Sequence, residues 1–190
     1  MRYSPDQKEK THLRILDEAA RQFREKGVSN TGLQPLMKAL GLTHGGFYAH
    51  FRSKDDLVEA ALQEAARQMD EETARLHGTE TPLVTLVRHY LSRRHRDAPG
   101  EGCALPTVSA ELGQLGKPSQ TTDRIVKDRL ALIDGELGHD RTSDRGILIL
   151  SAMVGGLQLA RSVSDPDLSD RILQATRSQL LALIGADTVD

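Results

Sequence analysis

TGLQPLMKALGLTHGGFYAHFRSK, residues 31–54, reads as two short helices joined by a tight turn and left through an aromatic, basic exit. Leu33, Leu36, Met37 and Leu40 recur at helical spacing and give the first helix one apolar face. Thr31 with Gln34 three residues on has the form of a capping box, and Pro35 falls in the first turn, where its missing N–H costs little. Gly41 supplies the left-handed residue that ends the helix, and Thr43 can cap the next one. A helix, a glycine turn and a second short helix have helix-turn-helix spacing, in which the second helix enters the DNA major groove. The stretch therefore points to a DNA-binding protein.

The wording of the second helix narrows this. Gly41, Thr43, Gly45, Phe47, Tyr48, His50, Phe51, Ser53, Lys54 and Leu57 occur in order, and GLTHGGFYAHFRSKDDL closely resembles the signature of the Tet-repressor (TetR/AcrR) family of one-component bacterial regulators. The resemblance is strong over about residues 8–60 and rests elsewhere on length and helical pattern. It implies a homodimer paired through a four-helix bundle of the last two helices. It also implies that the helix after Ser53 carries a ligand signal from a regulatory body to the head.

Outward from this stretch, the chain has 190 residues, 3% of them aromatic, with no Trp; that favours packed helices over a sheet. Net charge is −2, but residues 1–54 hold ten Lys or Arg against five Asp or Glu, and the remainder fifteen against twenty-two. A basic head on an acidic body suits a DNA reader with a second, non-DNA half. The expected domains are a helix-turn-helix DNA-binding domain over residues 1–54 and a helical ligand-binding and dimerisation domain over 55–190. The single cysteine, Cys103, excludes an internal disulfide framework and a cysteine-rich metal site. The polar N-terminus is no signal peptide, and the longest apolar run, Ile147–Ala160, is too short to span a bilayer. The expectation is a cytoplasmic protein with no membrane partner.

About nine helices and no strand are expected, an all-α fold. Ser4-Pro5 opens the first helix, Leu13, Leu16, Ala20 and Phe23 line its inner face, and Gly27 ends it. Ser53 caps a helix to about Leu76, stopped by His77-Gly78. Further helices are expected from Pro82 to about Arg96, Leu105 to Leu112 and Ser119 to Leu137. Another runs from Thr142 or Ser143 through Ala160, and the last begins at Asp165-Pro166. Ile147–Ala160 is apolar nearly all round and carries Gly155-Gly156, so it needs cover on two sides: its own subunit and a second copy.

The expected DNA-binding residues are Thr31, Gln34, Thr43, His44, Gly45, Gly46, Tyr48, His50 and Lys54. Phe47 and Phe51 should point inward; Tyr48 and His50 should bond phosphate, with Lys54 adding charge. Lys8 and Lys10 lie near the same side. Thr43 and His44 are the direct base readers, and with no Arg or Asn in Thr43–Ala49 affinity should rest on phosphate contacts and fall with salt. The partner is a palindromic double-stranded operator. A small apolar or amphipathic effector would sit among Leu62, Met69, Tyr90, Cys103, Leu105, Val108, Met153 and Leu157. Each of these also suits an ordinary core.

The most direct function is a homodimeric repressor released from DNA by a small molecule. Cys103, leading into a short helix, gives an alternative, an electrophile- or redox-sensing repressor; Gly-Cys here resembles a branch of the family with thiol sensors. An activator uses the same machinery. An enzyme with Cys103 as nucleophile and His89 or His95 as base lacks an orienting group and an oxyanion site, so none is expected. A DNA-bending protein without a ligand would not need the long acidic remainder. No cofactor is expected, and the seven histidines show no helical pair suited to a metal.

Overall fold

A computed structural model describes residues 5–76, 79–138 and 144–185. These are helical with no strand among the described residues, and no described helix is long and apolar enough to cross a membrane. The helices are α1 (Pro5–Lys26), α2 (Leu33–Ala39), α3 (Lys54–Leu76), α4 (Pro82–Tyr90), α5 (Arg93–Asp97), α6 (Ala110–Gln114), α7 (Gln120–Glu136), α8 (Arg145–Ser162) and α9 (Pro166–Leu183). A 3-10 helix, His44–Ala49, stands between α2 and α3, and a π-helical turn, Leu105–Ser109, leads into α6. The chain divides into two compact units, residues 1–68 with 100–121, and 69–99 with 122–190. The head expected over residues 1–54 lies wholly within the first.

In the first unit α1 buries Ile15, Ala19, Ala20 and Phe23, and Leu36, Met37, Phe47, Phe51 and Leu57 are buried in the same unit. Leu13, expected on the inner face, is 55% exposed. At about 100° per residue the buried stripe centres on His12, Ala19 and Phe23, which leaves Leu13 at its edge. Gly27 ends α1 at φ +84° and Gly41 ends α2 at φ +71°, both as the sequence signals. The capping box does not form. Gly32 is the N-cap of α2, and the Thr31 hydroxyl instead donates to Gly27 O at 2.7 Å, closing the turn between α1 and α2. Ser53 does cap α3, its Oγ accepting from Asp56 N–H at 3.1 Å.

The same unit holds residues 100–121 by polar ties. The buried Arg24 guanidinium donates to Gly100 O at 2.7 Å and to Gln68 Oε1 at 3.0 Å. Glu111 on α6 accepts from Val28 N–H at 2.5 Å and Ser29 N–H at 2.7 Å. Those N–H donors, with the Lys54 charge, hold its carboxyl below the usual range although burial pushes the other way. Glu59 accepts from Ser119 Oγ at 2.8 Å and also from the Thr121 hydroxyl.

In the second unit the single helix expected over Pro82–Arg96 is two. Leu91 leaves helical geometry at φ −95°, ψ 43°, and Ser92 restarts the chain by accepting from His95 N–H at 3.2 Å. Asp165 caps α9, accepting from Asp167 N–H at 2.9 Å ahead of Pro166. α8 and α9 approach closely where a Cβ on Gly156 would lie 3.0 Å from the Thr176 side chain. Arg161 ties α8 to α5 through Arg96 O at 3.1 Å and His95 O at 2.5 Å. The proposed openers Ser4, Thr142 and Ser143 and the His77-Gly78 stop lie outside the described residues.

His95 carries a pH consequence. It is buried with Nδ1 2.8 Å from Tyr90 O; burial foremost, then the nearby charges of Arg161 and His89, push its pKa down to about 4 against the hydrogen bond's opposite pull. A folded pKa below the unfolded value favours the neutral ring. The stability it confers is full above about pH 6.5 and falls as pH drops toward about 4, by on the order of 3 kcal/mol. Urea denaturation across that window should show the loss, and His95→Gln should remove that component.

Candidate nucleic-acid interface

The His44–Ala49 segment follows directly from its residue types. Thr43, extended at ψ 149°, caps it by accepting Gly46 N–H on Oγ1 at 3.2 Å. The segment is a 3-10 helix of six residues, a tighter coil than the α-helix expected of it. Its two glycines, poor α-formers, sit in the opening turn. Phe47 is fully buried and Phe51 nearly so, their rings stacked at 5.6 Å. With those two turned inward, Tyr48 is turned outward at 60% exposure, and the exposed His44 ring stands edge-on to it at 5.8 Å.

Gly45 and Gly46 differ. A Cβ on Gly46 would meet Thr43 Oγ1 at 3.4 Å, ordinary contact with the segment's own cap. A Cβ on Gly45 would meet nothing within 4 Å, and its backbone is not among those with positive φ. Nothing among the described residues requires glycine at 45, in a helix where glycine costs about 1 kcal/mol relative to alanine.

The remaining expected residues are placed as follows. Gln34 is exposed in the first turn of α2. Thr31, expected at the interface, is 2% exposed and bonded inward, so it shapes the turn instead of facing a ligand. Lys54 donates from Nζ to Val28 O at 2.6 Å and is half-buried, which fixes the α1–α2 turn to the start of α3. His50 is half-buried with Nδ1 shielded. Lys10 is paired with Asp6 at 2.9 Å on open surface, a pair worth little. Arg14 donates to Leu40 O at 3.2 Å, tying α1 to the end of α2.

Two further cations stand on the head without having been singled out: the exposed Lys38 at the end of α2, and Arg52, whose side chain is 95% exposed. Arg52 directly follows the Phe47–Phe51 aromatic pair, and that position was the available signal. Glu111 had none, because its partners lie more than eighty residues away.

The eight residues expected around an effector fall in both units. Leu62, Cys103, Leu105 and Val108 are buried in the first; Met69 is half-buried, and Tyr90, Met153 and Leu157 are buried, in the second. The groove of about 510 Å³ in the first unit, lined by Asp55, Glu59, Lys117 and Ser119 among others, uses none of them. In the second unit the groove of about 530 Å³ beside Arg93, Arg94 and Arg177 uses none either.

Comparison with known proteins agrees with this geometry. Residues 15–61 match the family model described as bacterial regulatory proteins, tetR family. The HTH-type transcriptional repressor Rv1474c of Mycobacterium tuberculosis is 29% identical over 163 residues, covering 80% of this chain and 82% of that protein. A TetR transcriptional regulator from Chloroflexus aurantiacus superposes with a TM-score of 0.79 at 22% identity, over 95% of this chain and 96% of that one. AibR, solved with isovaleryl coenzyme A and operator DNA, superposes with a TM-score of 0.61 at 16% identity over 89% of this chain and 97% of its own. Against three further curated relatives the alignments span only 54%, 26% and 40% of those proteins' lengths.

Proposed function

Since this chain belongs to the TetR family of bacterial regulatory proteins, we propose that it is a homodimeric repressor that grips a palindromic operator through the His44–Ala49 segment and lets go when a small molecule binds. The observation that carries the DNA-contacting role is Gly45: exposed, free of internal neighbours and helical, beside the outward Tyr48 and His44. A glycine with no internal reason suits a surface that another backbone approaches closely. The cost is local and the return lies outside the protein.

Gly45→Ala separates the two. The head should gain up to about 1 kcal/mol of stability, as alanine replaces glycine in a helix. Operator affinity should fall by about tenfold or more, equivalent to about 1.4 kcal/mol. Thermal melting and fluorescence anisotropy on a duplex selected by the protein from random sequence read the two quantities. A stabilised variant with undiminished affinity would remove Gly45 from the contact surface.

Base reading falls to Thr43 and His44, phosphate contact to Tyr48, His50 and Gln34. His44→Ala should change which sequences a random pool yields, whereas Tyr48→Ala should weaken all of them alike. Equal loss on every sequence from His44→Ala would show that it reads no base.

The second copy is assigned to α8. Ile147, Leu148 and Leu159 stand 52%, 56% and 58% exposed on one side of it, with Ala152 and Gly155 between them. A Cβ on Gly155 would meet nothing within 4 Å among the described residues, while Gly156, one residue on, packs against Thr176. The adjacent glycines thus serve different faces, one toward α9 and one toward a partner copy.

Cys103 supports a second reading of the effector. Its thiol is buried beside the Leu105 N–H, which donates to Sγ at 3.4 Å, and its charge would interact with that of the buried Arg24. A neighbouring guanidinium stabilises thiolate, the form that attacks electrophiles. Cys103→Ser repressing normally while ignoring an electrophile would establish the sensor; an unchanged response would end it.

A further inference from the structure

We propose that His12 on α1 joins His50 in a paired-imidazole phosphate site that takes up a proton when the head binds DNA. This rests on the DNA-binding reading above and adds a residue and a linkage to it.

His12 occupies a core position. It lies at the centre of the inward stripe of α1, where an apolar side chain would be ordinary, and its ring stacks on Phe51 at 4.6 Å and 19°. Beyond it, at 5.9 Å and 36°, is the His50 ring. Lys8, one turn earlier on the same helix, completes the group and is exposed. The ring column that runs inward through Phe51 and Phe47 thus ends at the surface in two imidazoles with an ammonium beside them.

On α1 the acids nearby in sequence are Asp6, paired with Lys10 at 2.9 Å, and Glu9, and neither is among the groups that act on His50. The groups that act on His50 are His12 and Lys8, both from α1 and both cationic when protonated; with burial as the larger cause, they hold its pKa below the ordinary value. Its own segment brings Tyr48 on one side and Arg52 on the other. On α3, Asp56 is engaged by Arg52 N–H at 3.0 Å and by the Arg52 guanidinium at 4.0 Å. His50 Nδ1 is buried without a hydrogen-bond partner among the described residues. The imidazolium is therefore disfavoured in the free head for want of a counter-charge, and a DNA phosphate at the ring edges supplies one.

The linkage has a definite sign. The His50 imidazolium is disfavoured in the free head and favoured beside a phosphate, so binding consumes a proton from solvent. Affinity rises as pH falls through the histidine range, by up to about tenfold per pH unit for each proton taken up.

The test uses the full chain and a labelled duplex of mixed sequence at fixed low salt, because phosphate contacts do not need the operator. Association constants are measured by anisotropy from about pH 8 to about pH 6, spanning the imidazole range. The wild type should bind several-fold more tightly per unit of falling pH. His50→Gln should flatten that slope. His12→Phe should flatten it too while keeping the ring stack on Phe51, and its melting curve shows that the head still folds. His44→Gln, which removes the other head histidine, should keep the slope. A wild type that binds equally at every pH, or a full slope in His12→Phe, overturns the proton site while leaving the DNA reading intact. Failure of the wild type to bind duplex at any pH overturns both.

Discussion

Leu148→Glu combined with Leu159→Glu should leave a folded monomer whose operator affinity has dropped by two orders of magnitude or more. Both leucines stand on the outward side of α8, 56% and 58% exposed, so neither substitution opens a cavity in the subunit. Across a two-fold axis each charge would face its own copy and be desolvated against apolar surface, which disfavours pairing strongly. The loss at the operator follows from linkage. Two heads joined in one particle bind the second half-site at high effective concentration, a gain of about 10²–10⁴ that separated heads forfeit. Light scattering would report the mass, and anisotropy the affinity, on full and single half-sites. A double variant that stays dimeric, or a monomer binding the full operator undiminished, would move the interface away from this face.

The head was legible because its determinants are local. Gly41 at φ +71°, the Thr43 cap on Gly46, the inward Phe47 and Phe51 and the Ser53 cap of α3 are each set by residues within a few positions of one another. The same holds for Asp165-Pro166 at the start of α9. Readings failed where a distant or competing partner decided. Thr31 had a capping box available with Gln34 but bonds Gly27 O, because the turn out of α1 needs that acceptor satisfied. Ser92 interrupts Pro82–Arg96 with no glycine or proline to announce it, and the residues after it are all charged or histidine, so no apolar spacing marks where one helix gives way to the next. The tie from Lys54 to a carbonyl 26 residues away in sequence likewise had no local signal. His12 was hidden differently: it occupies a core position of α1 with a polar side chain, and only its stacking on Phe51 shows why.

A further long-range tie, from Glu111 to the turn after α1, can be tested by a mutant cycle at Gly27 and Glu111. Gly27→Ala places a Cβ 2.7 Å from Glu111 Oε2 at a residue held at φ +84°, so it carries a steric and a backbone cost together. The backbone share is about 1–2 kcal/mol for an L-residue in that region. Displacing the carboxylate adds loss of its bonds to Val28 and Ser29 N–H, each charge-assisted bond being worth about 1.5–3 kcal/mol. Ser29 is exposed and water can replace its share, so the total should be about 3–5 kcal/mol. Glu111→Ala alone should cost about 2–3 kcal/mol. In that background Gly27→Ala should cost only the backbone share, because the atom it collides with has gone; the two substitutions are then sub-additive. Operator binding should follow the same pattern, since the Gly27–Thr31 turn sets α2 against α1 and α2 carries the reading segment. Guanidinium denaturation of the four proteins measures the coupling, and strict additivity would show that the carboxylate and the glycine are neighbours without being fitted to each other.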